Sequence, residues 1–415
     1  MAERRAKRSR LFRMRALRGA VSAEPEEPKT AEAQVSERSG PPGPPEEPEP
    51  GLRTSEPLSQ TQLIWRRFRR HRLGMLGTAI VLLLAFLAVF ADFLSPYGPG
   101  TEHRRWSYAP PTKIHFFYEG KFVGPFVYGL KRERDPVTFR AIYIEDTSKI
   151  YPIRFFVRGE PYKLLGLIPT DVHLFGTGEP PESPGQVFLF GADYQGRDLF
   201  TRTLIGGRIS LMIGPAVVII ILVLGSLVGG ISGYFGGWVD MAIQRVIEVL
   251  QSFPTLPLYL ALGAILPADL PNSARVIGII LIFGLVGWTG LARVLRGQIL
   301  ALREQEFALA ARAMGASHLR IIGKHLLPNT MSYLIVSATL TIPGIIIGEA
   351  TLSFLGLGIK EPLTSWGLLL SDAQDWSALS THPWLMIPGF FIVVAVLAFN
   401  FMGDALRDAV DPYSQ

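Results

Sequence analysis

Cysteine is absent from all 415 residues. No disulfide can brace the chain, and no thiolate can hold a metal or act as a nucleophile. Histidine occurs only seven times. It never falls in the HExxH spacing that puts two imidazoles on one helix face, so no metal site is expected. The GxxxxGK[ST] phosphate loop is also missing, so any ATP that drives this chain must be bound by another one. Charge is scarce as well: 18% of residues are charged against 48% hydrophobic, and the mean hydropathy is +0.27. The apolar residues clump into long runs, which marks an integral membrane protein embedded in a lipid bilayer. A net charge of +6 invites nucleic acid. Yet much of the Arg and Lys abuts apolar runs, as the positive-inside bias requires, and no nucleic-acid partner is expected.

Residues 1–60 combine the basic "MAERRAKRSRLFRMR" with a Pro-, Glu- and Ser-rich stretch. They cannot bury enough apolar surface to offset their ordering entropy and are expected to form a disordered cytoplasmic tail. No apolar h-region follows the basic start, which argues against a secretory signal. Residues 61–97 read as an amphipathic lead-in, "WRRFRRHR", followed by a first transmembrane helix over Leu73–Leu94. Its arginines place the N-terminus inside. Residues 98–188 contain no spanning run. Aromatic-rich pairs around Glu119-Gly120 and Arg158-Gly159 predict two hairpins in a small β-rich extracytoplasmic insertion.

Residues 189–415 form the core. Five further spans are expected over about 209–232, 242–266, 275–295, 331–354 and 384–402. The fold class is therefore an all-α polytopic membrane protein with six transmembrane helices and both termini cytoplasmic. The polar stretch 301–329 falls inside the cell, where Arg293, Arg296, Arg303, Arg312, Arg320 and Lys324 support the same orientation.

That stretch, "EQEFALAARAMGASHLRIIGKHLLPN", reads as two short helices. The first runs from Glu304 to Met314, and Gly315 suits the left-handed position after it. Ser317 can cap the second, and Pro328 ends it. Ala310, Ala311 and Ala313 leave room for a close neighbour, and Glu306 shares a face with Ala310. Leu319, Ile321, Ile322 and Leu326 give the second helix an apolar stripe. A partner's groove and a headgroup-lying linker both fit this pattern.

The segment Glu306-Phe-Ala-Leu-Ala-Ala-Arg-Ala-Met-Gly315, with Ile321, Leu327 and Pro328 of "LLPN", resembles the EAA loop of ATP-binding-cassette importer permeases. "GADYQGRDLFTRTLIGGRISLMIG", "GYFGGWVD" and "LSFLGLGIKEPLTSWG" are similar to signatures of the dipeptide/oligopeptide-type C subunit. Ala192 departs from the family's usual threonine. The insertion over residues 98–188 is longer than the family's usual one, so its role is not covered by the resemblance. The resemblance implies a type I importer permease fold in a bacterial or archaeal inner membrane. It also implies a coupling helix at Glu306, Ala310, Ala311, Gly315, Ile321, Leu327 and Pro328 that docks on an ATPase. Expected partners are a second homologous permease, two ATPase subunits that bind ATP and Mg, and an extracytoplasmic solute-binding protein. The chain itself would bind no cofactor and catalyse nothing. Peptides are the expected cargo; oligosaccharides, opines and nickel complexes stay open. From other classes, an ATP-independent transporter and a membrane scaffold are the competing readings.

Glu349 is the lone carboxylate of an apolar run and should face the bundle, a polar cavity or the outer edge, as a gate residue or a structural pair. Pro343 and Gly344 in the same span suggest a kink or an unwound turn, useful for rocking or merely static. Asp193, Gly196, Arg197 and Asp198 read as an interfacial elbow held by Arg–Asp pairs, with no nucleophile nearby for catalysis.

Overall fold

The computed structural model describes residues 59–136, 139, 141–267 and 269–411. All but the last two residues of the expected tail lie outside them. Helix α1 (Gln60–Arg70) opens on a capping box: Ser59 Oγ accepts from the Gln62 N–H, and Gln62 Oε1 accepts from the Ser59 N–H. Its arginines are exposed, while Phe68 is buried against Ala405 and Ala409. His71 then breaks the helix and caps α2 (Arg72–Val89) through Nδ1, 3.0 Å from the Gly74 nitrogen.

Four more long helices are apolar enough to cross a membrane: α3 (Leu199–Phe235), α6 (Asn272–Leu302), α8 (His318–Phe354) and α9 (Pro383–Val410). The expected third span is instead two helices, α4 (Gly237–Gln251) and α5 (Thr255–Ile265), bent by 84° at the break. The described residues therefore hold five crossing helices, or six if the bent pair counts as one. Pro254 and Pro257 explain the break: each lacks the backbone donor that would bond four residues back, and Pro254 disfavours helix at Phe253.

At a rise of 1.5 Å per residue, α3 is about 55 Å long, well beyond the roughly 30 Å of hydrocarbon. Its two ends therefore project past the apolar layer, and both carry polar networks. Close packing holds its middle. A Cβ on Gly229 would lie 2.6 Å from the Ala292 carbonyl oxygen, and one on Gly233 2.7 Å from that of Arg296. Small residues four apart let the α3 and α6 backbones meet, which in lipid replaces the missing hydrophobic drive. Leu84, Ile213, Val217, Phe283, Leu295, Ile346 and Phe399 fill the core between α2, α3, α6, α8 and α9. Arg208 ties α2 to α3, donating to the Ala88 and Val89 carbonyls and pairing with Asp92 at 2.7 Å.

Between α2 and α3 the chain forms strands. β1 (His115–Tyr118), β2 (Lys121–Arg134) and β3 (Ala141–Pro152) make an antiparallel sheet in that order. Tyr118 pairs with Lys121 across Glu119 and Gly120, both at positive φ, which suits the twist of a two-residue hairpin. The second hairpin, β4 (Arg154–Leu164) with β5 (Ile168–Gly176), does not turn at Arg158-Gly159. It turns at Leu165-Gly166, both left-handed. Gly159 lies within β4, where an added Cβ would stand 2.6 Å from the His173 ring. The glycine there serves close approach rather than a reversal.

Candidate functional site

Two polar assemblies stand at opposite ends of α3. The first surrounds helix α7 (Glu306–Ala313), which follows α6 after a tight turn. Gly315 ends it at φ +77°, with the Gly315 N–H on the Arg312 carbonyl and the Ala316 N–H on that of Ala311. These two bonds are a Schellman motif, and they make α7 a single rigid stub.

Ala308 and Ala311 point inward and pack with Tyr234, Ile299, Ile321, Ile322 and Leu326. Ala311 is 2% exposed. It therefore belongs to the packed side, apart from the open face that carries Glu306 and Ala310. The sequence pattern grouped the alanines together; helical periodicity separates them, because residues three apart share a face and adjacent ones do not. Around Glu306 and Ala310, the side chains of Phe307, Leu309, Met314 and Leu319 are exposed. They form an apolar surface outside the core.

Polar anchors fix this stub to the bundle. Tyr234 OH lies 2.9 Å from His318 Nδ1, and the Arg312 guanidinium sits 5.4 Å over the Tyr234 ring. Arg303 donates to the Gly233 and Tyr234 carbonyls at 3.1 Å each. Two turns earlier Arg296 grips Asp240 with two bonds of 2.5 Å. Ser232 Oγ donates to the same carboxylate. A bidentate pair of this kind sets orientation as well as contributing energy. Sequence marks neither Tyr234 nor Asp240, and it marks Arg296 only as a charge that sets orientation. A lone tyrosine or aspartate in the Gly-rich run carries no pattern that marks it as an anchor.

The second half of the stretch differs from expectation. Ser317 stands at the N-cap position, but its side chain makes no capping bond. Pro328 does not end the helix. Residues Ile321–Leu326 widen into a π turn, Leu327–Thr330 tighten into a 3₁₀ turn, and the helix runs on to Phe354. The Leu327 N–H bonds to the Ile322 carbonyl, five residues back. Asn329 Nδ2 donates to the His325 carbonyl at 2.6 Å, and Thr330 Oγ1 to that of Leu327 at 2.8 Å. The Asn329 side chain thus takes up the His325 carbonyl, which the missing Pro328 N–H would serve in a 3₁₀ turn. As a result Ile321, Leu327 and Pro328 lie on one unbroken rod with α8.

The second assembly precedes α3. Buried Asp193 accepts from the Gln195 and Arg197 N–H groups at 2.9 Å each and from Arg197 Nε at 2.7 Å. It also pairs with Arg202. Glu361 lies 2.7 Å from Arg197 Nη2 and 3.0 Å from Arg202 Nη2. Arg197 thereby holds the Glu361 carboxyl below the usual glutamate range. This quartet joins the elbow to the loop after α8. Gly196 stands at φ +77°, and a Cβ there would lie 2.0 Å from the His103 carbonyl oxygen. Sequence reasoning found the Arg–Asp pairing but not Arg202 and Glu361. Glu361 is far along the chain, and Arg202 is inside a helix without a distinctive neighbour.

Asp198 caps α3, accepting from Thr201 N at 2.9 Å and Thr201 Oγ1 at 2.6 Å with one oxygen. Its other oxygen, Oδ1, is buried without a partner. Burial pushes this carboxyl up to about 7 and that of Asp372 to about 6. From 3.8 upward the unfolded chain releases the Asp198 proton while the folded one keeps it. Stability therefore falls as pH rises through that window. The thermal unfolding midpoint in detergent should be higher near pH 5 than near pH 7.5, and Asp198→Asn should narrow the gap. An equal gap in the variant would remove Asp198 as its source.

Glu349 is sealed inside the bundle, fully buried. Ser353 Oγ donates to it at 2.6 Å and Ser210 Oγ at 3.4 Å. Ser210 Oγ in turn accepts from the Trp366 N–H. The structure thus places Glu349 at a junction of α3, α8 and the short helix Trp366–Ser371. Pro343 is buried and Gly344 exposed in a helix that stays continuous, with no unwound turn. These three residues share neither assembly. Among the described residues no group of His, Asp or Glu is placed to hold a metal ion.

Comparison with known proteins gives consistent matches. Residues 221–413 match the family model described as the binding-protein-dependent transport system inner membrane component. Residues 59–111 match the N-terminal TM domain of oligopeptide transport permease C. The chain is 34% identical over 356 residues to a dipeptide transport system permease protein of Bacillus subtilis, covering 86% of each chain. It is 45% identical over 225 residues to an oligopeptide transport system permease protein of Haemophilus influenzae, covering 54% of this chain and 70% of that one. A chain of the MetNI methionine ABC transporter aligns with a TM-score of 0.38 at 22% identity, covering 50% of this chain and 94% of that one.

Proposed function

This chain belongs to the family of inner-membrane components of binding-protein-dependent transport systems, and we propose that it is the permease subunit of an ATP-driven peptide importer. Peptide is assigned as cargo because the relatives matched over most of their length are named dipeptide and oligopeptide permeases. In this reading the chain pairs with a second permease, and an extracytoplasmic binding protein delivers the peptide. Two ATPase subunits bind ATP and Mg beneath, and this chain catalyses no reaction itself. The N- and C-termini lie inside, with the strands β1–β5 outside.

One observation carries the mechanism: the exposed face of α7 is bolted to the transmembrane bundle on its opposite side. An ATPase that grips Glu306, Ala310 and the apolar rim around them moves α7. The buried Ala308 and Ala311, packed with Tyr234 and Ile299, and the Arg312–Tyr234 contact pass that motion to α3 and α6. The unbroken rod through Pro328 passes it to α8. ATP binding must favour one orientation of the cavity over the other, and the docking contacts supply that bias. On this reading the Asp193 quartet and Glu349 hold structure at the outer half of the bundle, and Pro343 and Gly344 are left without a gating role.

Affinity capture of the full chain from membranes tests the docking. The wild type should retain an ATPase, and Glu306→Lys, which reverses charge on the open face without touching the core, should lose it. Retention of the ATPase together with full transport in Glu306→Lys would sink the reading. An ATP-independent transporter predicts instead that the wild type captures no ATPase and that transport persists in Glu306→Lys.

A further inference from the structure

The break between α4 and α5 lies beside the midpoint of α6. Facing it are Val286, Gly287, Thr289 and Gly290, and Gly287 stands midway along Asn272–Leu302. This is membrane depth. Yet Ser252, Phe253 and Pro254 are exposed, and among the described residues no backbone hydrogen bond crosses from α4 to α5. The Glu248 and Val249 carbonyls accept from Ser252, and the Leu258 N–H reaches the Pro254 carbonyl, but the Leu250 and Gln251 carbonyls and the Thr255 and Leu256 N–H groups are left to the surroundings.

Lipid cannot serve them. An unsatisfied backbone group in hydrocarbon costs several kcal/mol, so irregular backbone at this depth is tolerated only inside protein or against water. The exposed break opens on a hollow of about 420 Å³. Gln251 and Thr255 are exposed beside it, and Tyr259 and Thr289 add hydroxyls. None of the residues lining it is charged. Arg245 and Glu248, one turn before, pair with each other at 2.8 Å.

We propose that this hollow is a water-filled station on the translocation path and takes the amide groups of the passing peptide through Gln251, Thr255 and the free backbone of the break. Side-chain amide, hydroxyl and backbone groups are the complement of peptide N–H and C=O. With no ionised group in the lining, the station recognises the cargo's backbone and is indifferent to its side-chain charge. This deepens the importer reading and rests on it for the identity of the cargo.

The cysteine-free chain makes the test clean. Thr255→Cys, Gly290→Cys and Leu82→Cys are introduced singly and assembled with the partner subunits in membranes. A Cβ at Gly290 meets nothing within 4 Å, and Leu82 is also exposed but sits on the regular, apolar α2. A charged, water-soluble trimethylammonium methanethiosulfonate should label Thr255→Cys and Gly290→Cys at least about tenfold faster than Leu82→Cys. The thiolate it needs forms in water and not in lipid. Trialanine delivered with its binding protein and ATP should slow both rates several-fold. Labelling no faster than at Leu82→Cys would overturn the station, because the break would then be covered by a dry partner surface. Fast labelling unaffected by trialanine would overturn the contact with cargo. ATP-dependent uptake by the cysteine-free parent is read in the same preparation. Its absence would contradict the importer reading, which the labelling rates do not decide.

Discussion

Asp193→Asn should lower the thermal unfolding midpoint of the detergent-solubilised chain by an amount of the order of 10 °C, or keep the protein from accumulating at all. Asp193 is fully buried and accepts from two backbone N–H groups and two guanidinium groups. An asparagine keeps the size but loses the charge and turns one acceptor into a donor aimed at donors. Arg197 and Arg202, themselves almost fully buried, would be left with Glu361 alone. Removing one partner of a buried ion pair costs about 3–5 kcal/mol, because the remaining charge stays out of water. Glu361→Gln should cost distinctly less, since its side chain is 40% exposed and water can replace it. Equal effects at the two positions would mean that Asp193 is not the hub of the quartet.

The second large effect separates two neighbouring alanines. Ala311→Leu forces three extra carbon atoms into a space bounded by Tyr234, Ile321, Ile322 and Leu326. Overpacking of this kind costs about 1–3 kcal/mol and shifts the backbone. The melting midpoint should fall, and uptake should drop at least about tenfold as α7 moves off its seat. Ala310→Leu adds the same atoms on the exposed face. Its melting midpoint should stay within about a degree of wild type, as surface changes usually do. Uptake should drop as sharply, however, and the ATPase should no longer co-purify, because the leucine keeps the partner's groove from closing on α7. Both variants melting alike would show that α7 is free of the bundle and cannot act as a lever.

These two alanines also show what the sequence could and could not disclose. Apolar runs of about 20 residues, arginines at their ends and the Gly315 signal were legible, because bilayer thickness and helix sterics act locally. Five of the six expected spans appear as continuous helices. The hairpin turn at Glu119-Gly120 was legible for the same reason. Glu361 meeting Arg197 across the fold was not, since nothing local ties two residues so far apart. The passage of the helix through Pro328 depends on a π turn and on Asn329, a compensation that a proline rule does not contain. The break at Pro254 was written in the sequence, with two prolines inside an apolar run, but hydropathy over a window averages them away.

The most direct test of the central claim is accumulation of a labelled oligopeptide by proteoliposomes holding this chain, its partner permease, the ATPases and the binding protein. With ATP supplied on the ATPase side, peptide should concentrate above its outside level, and Glu306→Lys should abolish the gain while leaving the fold intact. Equal peptide levels with and without ATP, or undiminished accumulation by Glu306→Lys, would contradict an importer driven through α7.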